Sequence, residues 1–371
     1  MKMFQQKSRI EKLDSAEDFV REYGIGKRDF ILASRTIFDK YFKPLGLEAC
    51  VRYKDSYGKG EPTDGMMDAL AADFRSSGCT RITAIGGGAV IDMAKLLVLD
   101  GEASAKDIFR KKVDLKKKFP LIAVPTTCGA GSEVSSVSIT EMTDLHSKLG
   151  LAADELFPDD AVLIPQLLSE LPYSFWATSA IDAFIHAIES FVSPKANLYT
   201  EMFSKKAMEM IIGGFRQVAA DGPNAREQLM DEFLTASNLA GIAFGNAGTG
   251  AVHAMSYPLS GVYHVTHGEA NYQFLTAVFS AYQRFRPEGR LKELNEFLSG
   301  LLCCGQGEVY TALKNLLDKI IKRKPLREYG MKKDEIESFA KNVEESQQRL
   351  LNQSYVKFSW EQMAEIYSQL Y

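Results

Sequence analysis

The chain has 371 residues, 44 of them Lys or Arg and 48 Asp or Glu, for a net charge of −4. That near-balance argues against a dedicated nucleic-acid binder, whose affinity rests on clustered cations facing phosphates. Hydrophobic residues make up 46% and charged residues 25%, the composition of a globular protein with chain enough for two domains, and no stretch approaches the length of a membrane span. The one basic cluster, Arg110, Lys111, Lys112, Lys116, Lys117 and Lys118, reads as a solvated surface turn. Cys50, Cys79, Cys128, Cys303 and Cys304 are odd in number and make no C-x-x-C pair. They read as reduced thiols, and residues 1–12 lack the apolar core of a signal peptide, so the expected compartment is the cytoplasm.

Taken in order, residues 15–23 form an amphipathic segment, and 30–34 read as a first strand followed by a helix over 37–45. A second strand is expected at 49–53, then a turn through Gly58, Gly60 and Pro62. Thr63 is placed to cap a helix reaching about residue 76. Further strands are expected at 81–85 and 121–124. Strands alternating with helices predict a mostly parallel, doubly wound sheet. Two of these strands run into small-residue loops. Gly86, Gly87 and Gly88 open a helix whose N–H groups would face a pyrophosphate. A tight strand-to-helix turn would also want glycine. Pro125 leads into Thr126, Thr127, Cys128, Gly129, Ala130, Gly131, Ser132 and Glu133. Two such loops at the carboxyl ends of strands in one sheet make a crevice for a dinucleotide.

Beyond residue 170 the apolar periodicity is almost all helical, over 204–215, 226–243, 274–284, 291–302, 309–321, 333–350 and 360–370. The expected architecture is therefore an α/β, Rossmann-like domain over residues 1–170 followed by an all-α domain over 171–371. A crevice between two such halves is an ordinary place for a ligand.

The stretch 179–190 is the least ordinary. It is apolar enough to be buried on most sides, yet it carries Asp182, His186 and Glu189 at i, i+4 and i+7 on one face. A buried carboxylate needs a partner. Two readings fit, a carboxylate hydrogen-bonded to a core histidine, or an Asp and a His that share a divalent metal. Of five histidines, three more, His253, His264 and His267, fall in one short segment, and His146 lies in a polar stretch of the first half. Pro258 is expected to end the helix carrying His253, with His267 returning from a loop or the next helix start. One carboxylate oxygen and three imidazole nitrogens would suit Fe(II) or Zn(II) and leave a position open for substrate.

Four motifs now stand in order: G-G-G-x-x-x-D-x-A-K (86–95), P-T-T-x-G-x-G-S-E (125–133), D-A-x-x-H (182–186) and H…H-G-x-x-N (253–271). Together they resemble the iron-containing, group III alcohol dehydrogenases over essentially the whole chain. The resemblance implies metal ligands at Asp182, His186, His253 and His267. It implies cofactor contacts at Gly86, Gly87, Gly88, Asp92, Thr126, Thr127, Ser132 and Lys148. Taken without it, Asp92 reads as a helix-surface carboxylate and Lys148 as a solvated lysine. Three residues depart from the pattern. Ala89 follows the glycine triplet where many members have serine. Ser34, with Arg35 beside it, stands where NAD-preferring members often carry an acid, so NAD and NADP both remain open. Tyr257 stands where some members carry a proton-relay histidine, and His264 lies close enough in sequence to substitute. Glu189 is not a ligand in the family motif and reads as a supporting carboxylate.

The segments 244–248, 323–331 and 347–351 are similar to those of bacterial members acting on 4-hydroxybutyrate. The resemblance thus implies reversible oxidation of 4-hydroxybutanoate to succinate semialdehyde, by hydride transfer to a nicotinamide with a metal activating the alcohol oxygen. It also implies a small-molecule substrate and a homo-oligomer, without nucleic-acid or membrane partners. The alternatives are a related dehydrogenase acting on another primary alcohol or diol, and a hydrolase or lyase using the same metal set to activate water.

Overall fold

A computed structural model describes residues 3–145 and 147–371; His146 lies outside the described residues. The chain divides into two compact units, one spanning Gln6–Pro172 and the other Tyr173–Tyr371 together with residues 3–5.

The first unit runs β1 (Arg9–Lys12), α1 (Ala16–Tyr23), β2 (Asp29–Ala33), α2 (Arg35–Ile37), β3 (Cys50–Tyr53), α3 (Asp64–Ser77), β4 (Arg81–Gly86), α4 (Gly88–Leu97), α5 (Ala105–Phe109), β5 (Leu121–Pro125), β6 (Val137–Met142), β7 (Ser147–Ala152) and β8 (Asp160–Leu163). Six strands form one sheet in the order β1-β8-β5-β4-β2-β3, and every pairing in it is parallel. β6 and β7 form a separate antiparallel hairpin. The period of two along the strands sorts the core. Phe30, Leu32, Ile82, Ala84, Leu121 and Ala123 pack on one face with α3 and α4. Ile31, Ala33, Ile85, Ile122, Val124 and Val162 pack on the other with Phe19, Phe38 and Phe42. A sheet covered on both faces needs apolar residues at consecutive positions, and β2 and β5 are buried along their whole length.

Register decides where the loops emerge. Ala33 pairs with Ile85 and Ile85 with Val124, so β2, β4 and β5 end level. The chain goes from β2 outward to β3 and then back across to β4, which puts the reversal of strand order between β2 and β4. In open α/β sheets that reversal is where ligands bind. Ser34 leaves β2 there, and the glycine triplet leaves β4.

Thr63 caps α3 as expected, its hydroxyl accepting from Met66 N at 3.2 Å. The helix expected over 37–45 is broken. α2 gives way to a wider turn over Phe38–Phe42 and a tighter one over Lys43–Leu45, with Pro44 near the start of the latter. A proline there cannot donate to the preceding turn. Phe38 and Phe42 hold the segment in place through the rings of Tyr53, 5.9 Å away, and Phe19, 6.2 Å away.

The second unit is helical: α6 (Tyr173–Val192), α7 (Leu198–Asp221), α8 (Met230–Ala247), α9 (Ala251–Tyr263), α10 (His267–Phe285), α11 (Arg290–Leu302), α12 (Val309–Ile320), α13 (Ile336–Ser346), α14 (Gln348–Leu351) and α15 (Trp360–Leu370). Asn197 opens α7 with a reciprocal cap shared with Thr200. The helix expected over 333–350 is interrupted at Gln347, which leaves α-helical geometry between α13 and α14. Pro258 does not end the helix carrying His253. α9 continues through it to Tyr263 and stops at His264, which adopts a left-handed φ of 54°. An interior proline costs a helix a hydrogen bond and about 3 kcal/mol, but α9 is buried from Ala251 to Ser260, and packing on every side keeps the chain helical. Among the described residues no helix is long and apolar enough to cross a membrane.

Candidate metal centre and cofactor loops

α6 has almost no exposed face from Trp176 onward, because its apolar residues surround the polar stripe rather than oppose it. Asp182 and His186 therefore point into the helical unit, 3% and 4% exposed. α9 brings His253 against them from its first turn, and His267 arrives as the first residue of α10. The ligand atoms of Asp182, His186, His253 and His267 all lie within 4.8 Å of one another. His253 Nε2 is 3.0 Å from His186 Nε2 and 3.8 Å from Asp182 Oδ1, and His267 Nε2 is 3.9 Å from Asp182 Oδ2. The ring of Phe244 stacks on His186 at 4.3 Å. Burial pushes the Asp182 carboxyl up, but His186, His267, His253 and the Asn271 amide outweigh it and hold the group below its ordinary value.

One carboxylate and three imidazoles converging in an apolar helical setting form a donor set that fits Fe(II) or Zn(II). Two facing imidazole nitrogens satisfy each other poorly unless one carries a proton or a cation lies between them.

Other residues hold the donors. Asn271, fully buried, donates to Asp182 Oδ1 at 2.7 Å and lies 3.1 Å from His267 Nε2. Its own carbonyl accepts from Ser256. Glu189 accepts from Val252 N at 2.7 Å and sits 2.6 Å from His253 Nδ1. Tyr257, one turn beyond His253, is buried with its ring 6.4 Å from that of His267. His264 is exposed at the C-terminal end of α9 and is not a member of the cluster.

In the sheet unit, Ser34 and the glycine loops meet at the reversal point. Ser34 N donates to Ile85 O at 2.8 Å. No glycine of the triplet has a positive φ; close approach explains them instead. A Cβ on Gly86 would lie 2.5 Å from Val90 and 2.8 Å from Ser34 Oγ, one on Gly87 3.1 Å from Thr127, and one on Gly88 2.7 Å from Ala130. The two loops are thus packed on each other, with Thr126 buried beneath and the α4 N-terminus at their edge.

Neither Asp92 nor Lys148 is a solvated surface group. Asp92 accepts from Ile139 N at 3.0 Å and from the Ser132 hydroxyl. Lys148 is 3% exposed and 3.7 Å from Glu61. Ser132 in turn accepts from the fully buried Lys95, whose ammonium also reaches Ser135 Oγ at 3.2 Å and Val137 O at 2.5 Å. The side chains of Asp92 and Ser132 therefore tie α4 to the second loop and to the hairpin. Arg35 forms a two-pronged pair with Asp55 at 2.8 and 2.9 Å and lies 4.0 Å over the Tyr53 ring.

Residues 4–165 match the profile of the iron-containing alcohol dehydrogenases, and residues 176–371 match the C-terminal profile of the same family. The chain is 47% identical over 371 residues, all of both proteins, to the 4-hydroxybutyrate dehydrogenase of Clostridium kluyveri. The chain belongs to the iron-containing alcohol dehydrogenase family. Its fold superposes on the iron-containing alcohol dehydrogenase of Thermococcus thioreducens with a TM-score of 0.85 at 26% identity, covering 100% of this chain and 99% of that one. It also superposes on the sulfoacetaldehyde reductase of Bifidobacterium kashiwanohense, solved in complex with NAD+, with a TM-score of 0.82 at 23% identity, covering 99% and 98%.

Three supporting residues of this iron-containing alcohol dehydrogenase escaped sequence reasoning. Asn271 was visible only as the last letter of a motif, although it follows His267 by four residues, the spacing that puts two side chains on one helix face. Lys95 closes the first motif, but nothing in its neighbourhood announced an ammonium with no exposure. Ser256 gave no signal at all.

Proposed function

We propose that this iron-containing alcohol dehydrogenase reversibly oxidises 4-hydroxybutanoate to succinate semialdehyde with NAD, and that Asp182, His186, His253 and His267 hold an Fe(II), a set that Zn(II) would also fit. The observation that carries the reading is the convergence of one carboxylate oxygen and three imidazole nitrogens within 4.8 Å. The full-length relative, named for 4-hydroxybutyrate, supplies the substrate. When bound, the metal supplies a Lewis acid toward the alcohol or carbonyl oxygen and the nicotinamide supplies the hydride exchange.

The chain's own residues do the rest. Asn271 and Glu189 fix the donors, and Phe244 shields the His186 ring from water. Tyr257 Oη, on the buried helix face beside His267, is the group proposed to pass the substrate proton, with the exposed His264 at the end of the same helix as the second candidate, leading to solvent. Gly86, Gly87 and Gly88 with Thr126 and Thr127 would take the pyrophosphate at the α4 N-terminus, and Lys148 would add a positive charge. Ser34 would meet the adenosine ribose at the reversal point. Arg35 is already paired with Asp55, so a 2′-phosphate would have to displace that carboxylate, which supports NAD over NADP.

The test measures bound metal, then turnover of succinate semialdehyde and of butanal with NADH and with NADPH. Preference for the acid aldehyde and for NADH is expected. Strong preference for butanal would refute the substrate, and absence of NAD(P)H binding would turn the reading toward a hydrolase or lyase.

A further inference from the structure

α9 has no cap of its own. Gly250 stands at its N-cap position, without a side chain to accept from the first turn, and a helix start needs acceptors for its leading N–H groups. The acceptor comes from another helix: Glu189 of α6 receives Val252 N at 2.7 Å on Oε1. Gly250 makes room for it, since a Cβ there would lie 3.2 Å from that oxygen. The other oxygen, Oε2, sits 2.6 Å from His253 Nδ1, and Glu189 is 2% exposed. An ionised carboxylate can only accept, so against Glu189 Nδ1 is the donor. In the neutral ring that leaves Nε2, which faces His186 and Asp182, as the nitrogen with a free lone pair.

We infer that Glu189 is the positioning residue of the metal centre: one carboxylate caps α9 and, through its second oxygen, locks His253 in the tautomer able to ligate. The inference rests on the metal reading above. It separates Glu189 from an ordinary helix cap, because capping alone uses one oxygen and leaves the ring free to choose. Glu189→Gln divides the two roles. The amide oxygen can still accept from Val252 N, but the amide NH2 then faces Nδ1 and drives the ring proton to Nε2, where it blocks a metal.

Two measurements test this. In the metal-free wild-type protein, 15N imidazole NMR should show a proton on His253 Nδ1, whether or not the ring is charged; a neutral ring with its proton on Nε2 alone would overturn the inference without any variant. In folded Glu189→Gln, the ring should switch to the Nε2–H tautomer, and titrated Zn(II) should bind about 10–100-fold more weakly, the usual effect of losing such a partner. Unchanged tautomer and unchanged Zn(II) affinity would reduce Glu189 to a helix cap. If the wild-type protein itself binds no stoichiometric Zn(II) or Fe(II), the metal reading fails, and the tautomer measurement still judges Glu189 separately.

Discussion

Replacing Asn271 by leucine keeps the branched heavy-atom skeleton, with bulkier methyl ends, and removes the amide. Asp182 then loses its 2.7 Å donor while remaining buried. Ser256 loses less, since its hydroxyl can turn to the His253 carbonyl 2.9 Å away. The cost is therefore one hydrogen bond to a charged group, about 1.5–3 kcal/mol. For a helical unit of this size, that lowers the unfolding midpoint of the metal-free protein by about 3–12 °C, at roughly 2–4 °C per kcal/mol. A bound cation replaces the missing donor to the carboxylate, so the deficit should shrink when Zn(II) is added. Differential scanning calorimetry of both proteins, with and without the metal, reads both effects. A midpoint unchanged without metal, or a deficit of equal size with and without it, would refute the reasoning that Asn271 works through the Asp182 charge.

His267→Ala should abolish turnover and bound metal while leaving the circular dichroism spectrum intact, because His267 opens α10 and is partly exposed rather than packed in the core; full turnover by a metal-free His267→Ala protein would remove the assignment. Gly88→Ala sets two effects against each other. Alanine helps a helix interior by about 1 kcal/mol, and less at the first helical position that Gly88 holds, but its Cβ would meet that of Ala130 at 2.7 Å, roughly 1 Å inside ordinary contact, and such overpacking costs about 1–3 kcal/mol. Lower stability and weaker NADH binding by fluorescence are expected; a more stable protein with undiminished NADH binding would mean the loops are not packed as described.

The parts of the fold that sequence made visible are those where one physical requirement dominates. β2, β4 and β5 need apolar residues on both faces and show it. α6 carries its acid and its histidine four apart in a run otherwise too apolar for either, so the metal cluster was legible from D-A-x-x-H and the crowding of histidines alone. Where requirements compete, the pattern blurs. β1 is an edge strand with the sequence Arg-Ile-Glu-Lys, mostly exposed, and has no apolar face to advertise. β8 is only four residues long, and the β6–β7 hairpin carries polar residues such as Ser138, Thr140 and Lys148 at buried positions, so both read as connecting chain. Pro258 signals a helix end locally, and only the buried surroundings of α9 override it. The surface readings of Asp92 and Lys148 failed for a related reason: a charged letter implies water until the partners that replace water are known, and those partners lie some 40 residues away on the second loop and the hairpin for Asp92, and at Glu61 for Lys148.

The edge strand has a further bearing on how the protein is made. β1 pairs only with β8 within its sheet, Arg9 facing Asp160, so the sheet's first strand in chain order has no neighbour until the sheet's last strand exists. At about 5–20 residues per second, that wait is roughly 8–30 s. During it, β2 to β5 can assemble on one another while Arg9–Lys12 remains an unpaired strand with three charged residues around the single apolar Ile10, too charged to join a stray sheet edge. The charges that hid this strand from periodicity are thus what keep it out of wrong pairings before its partner arrives.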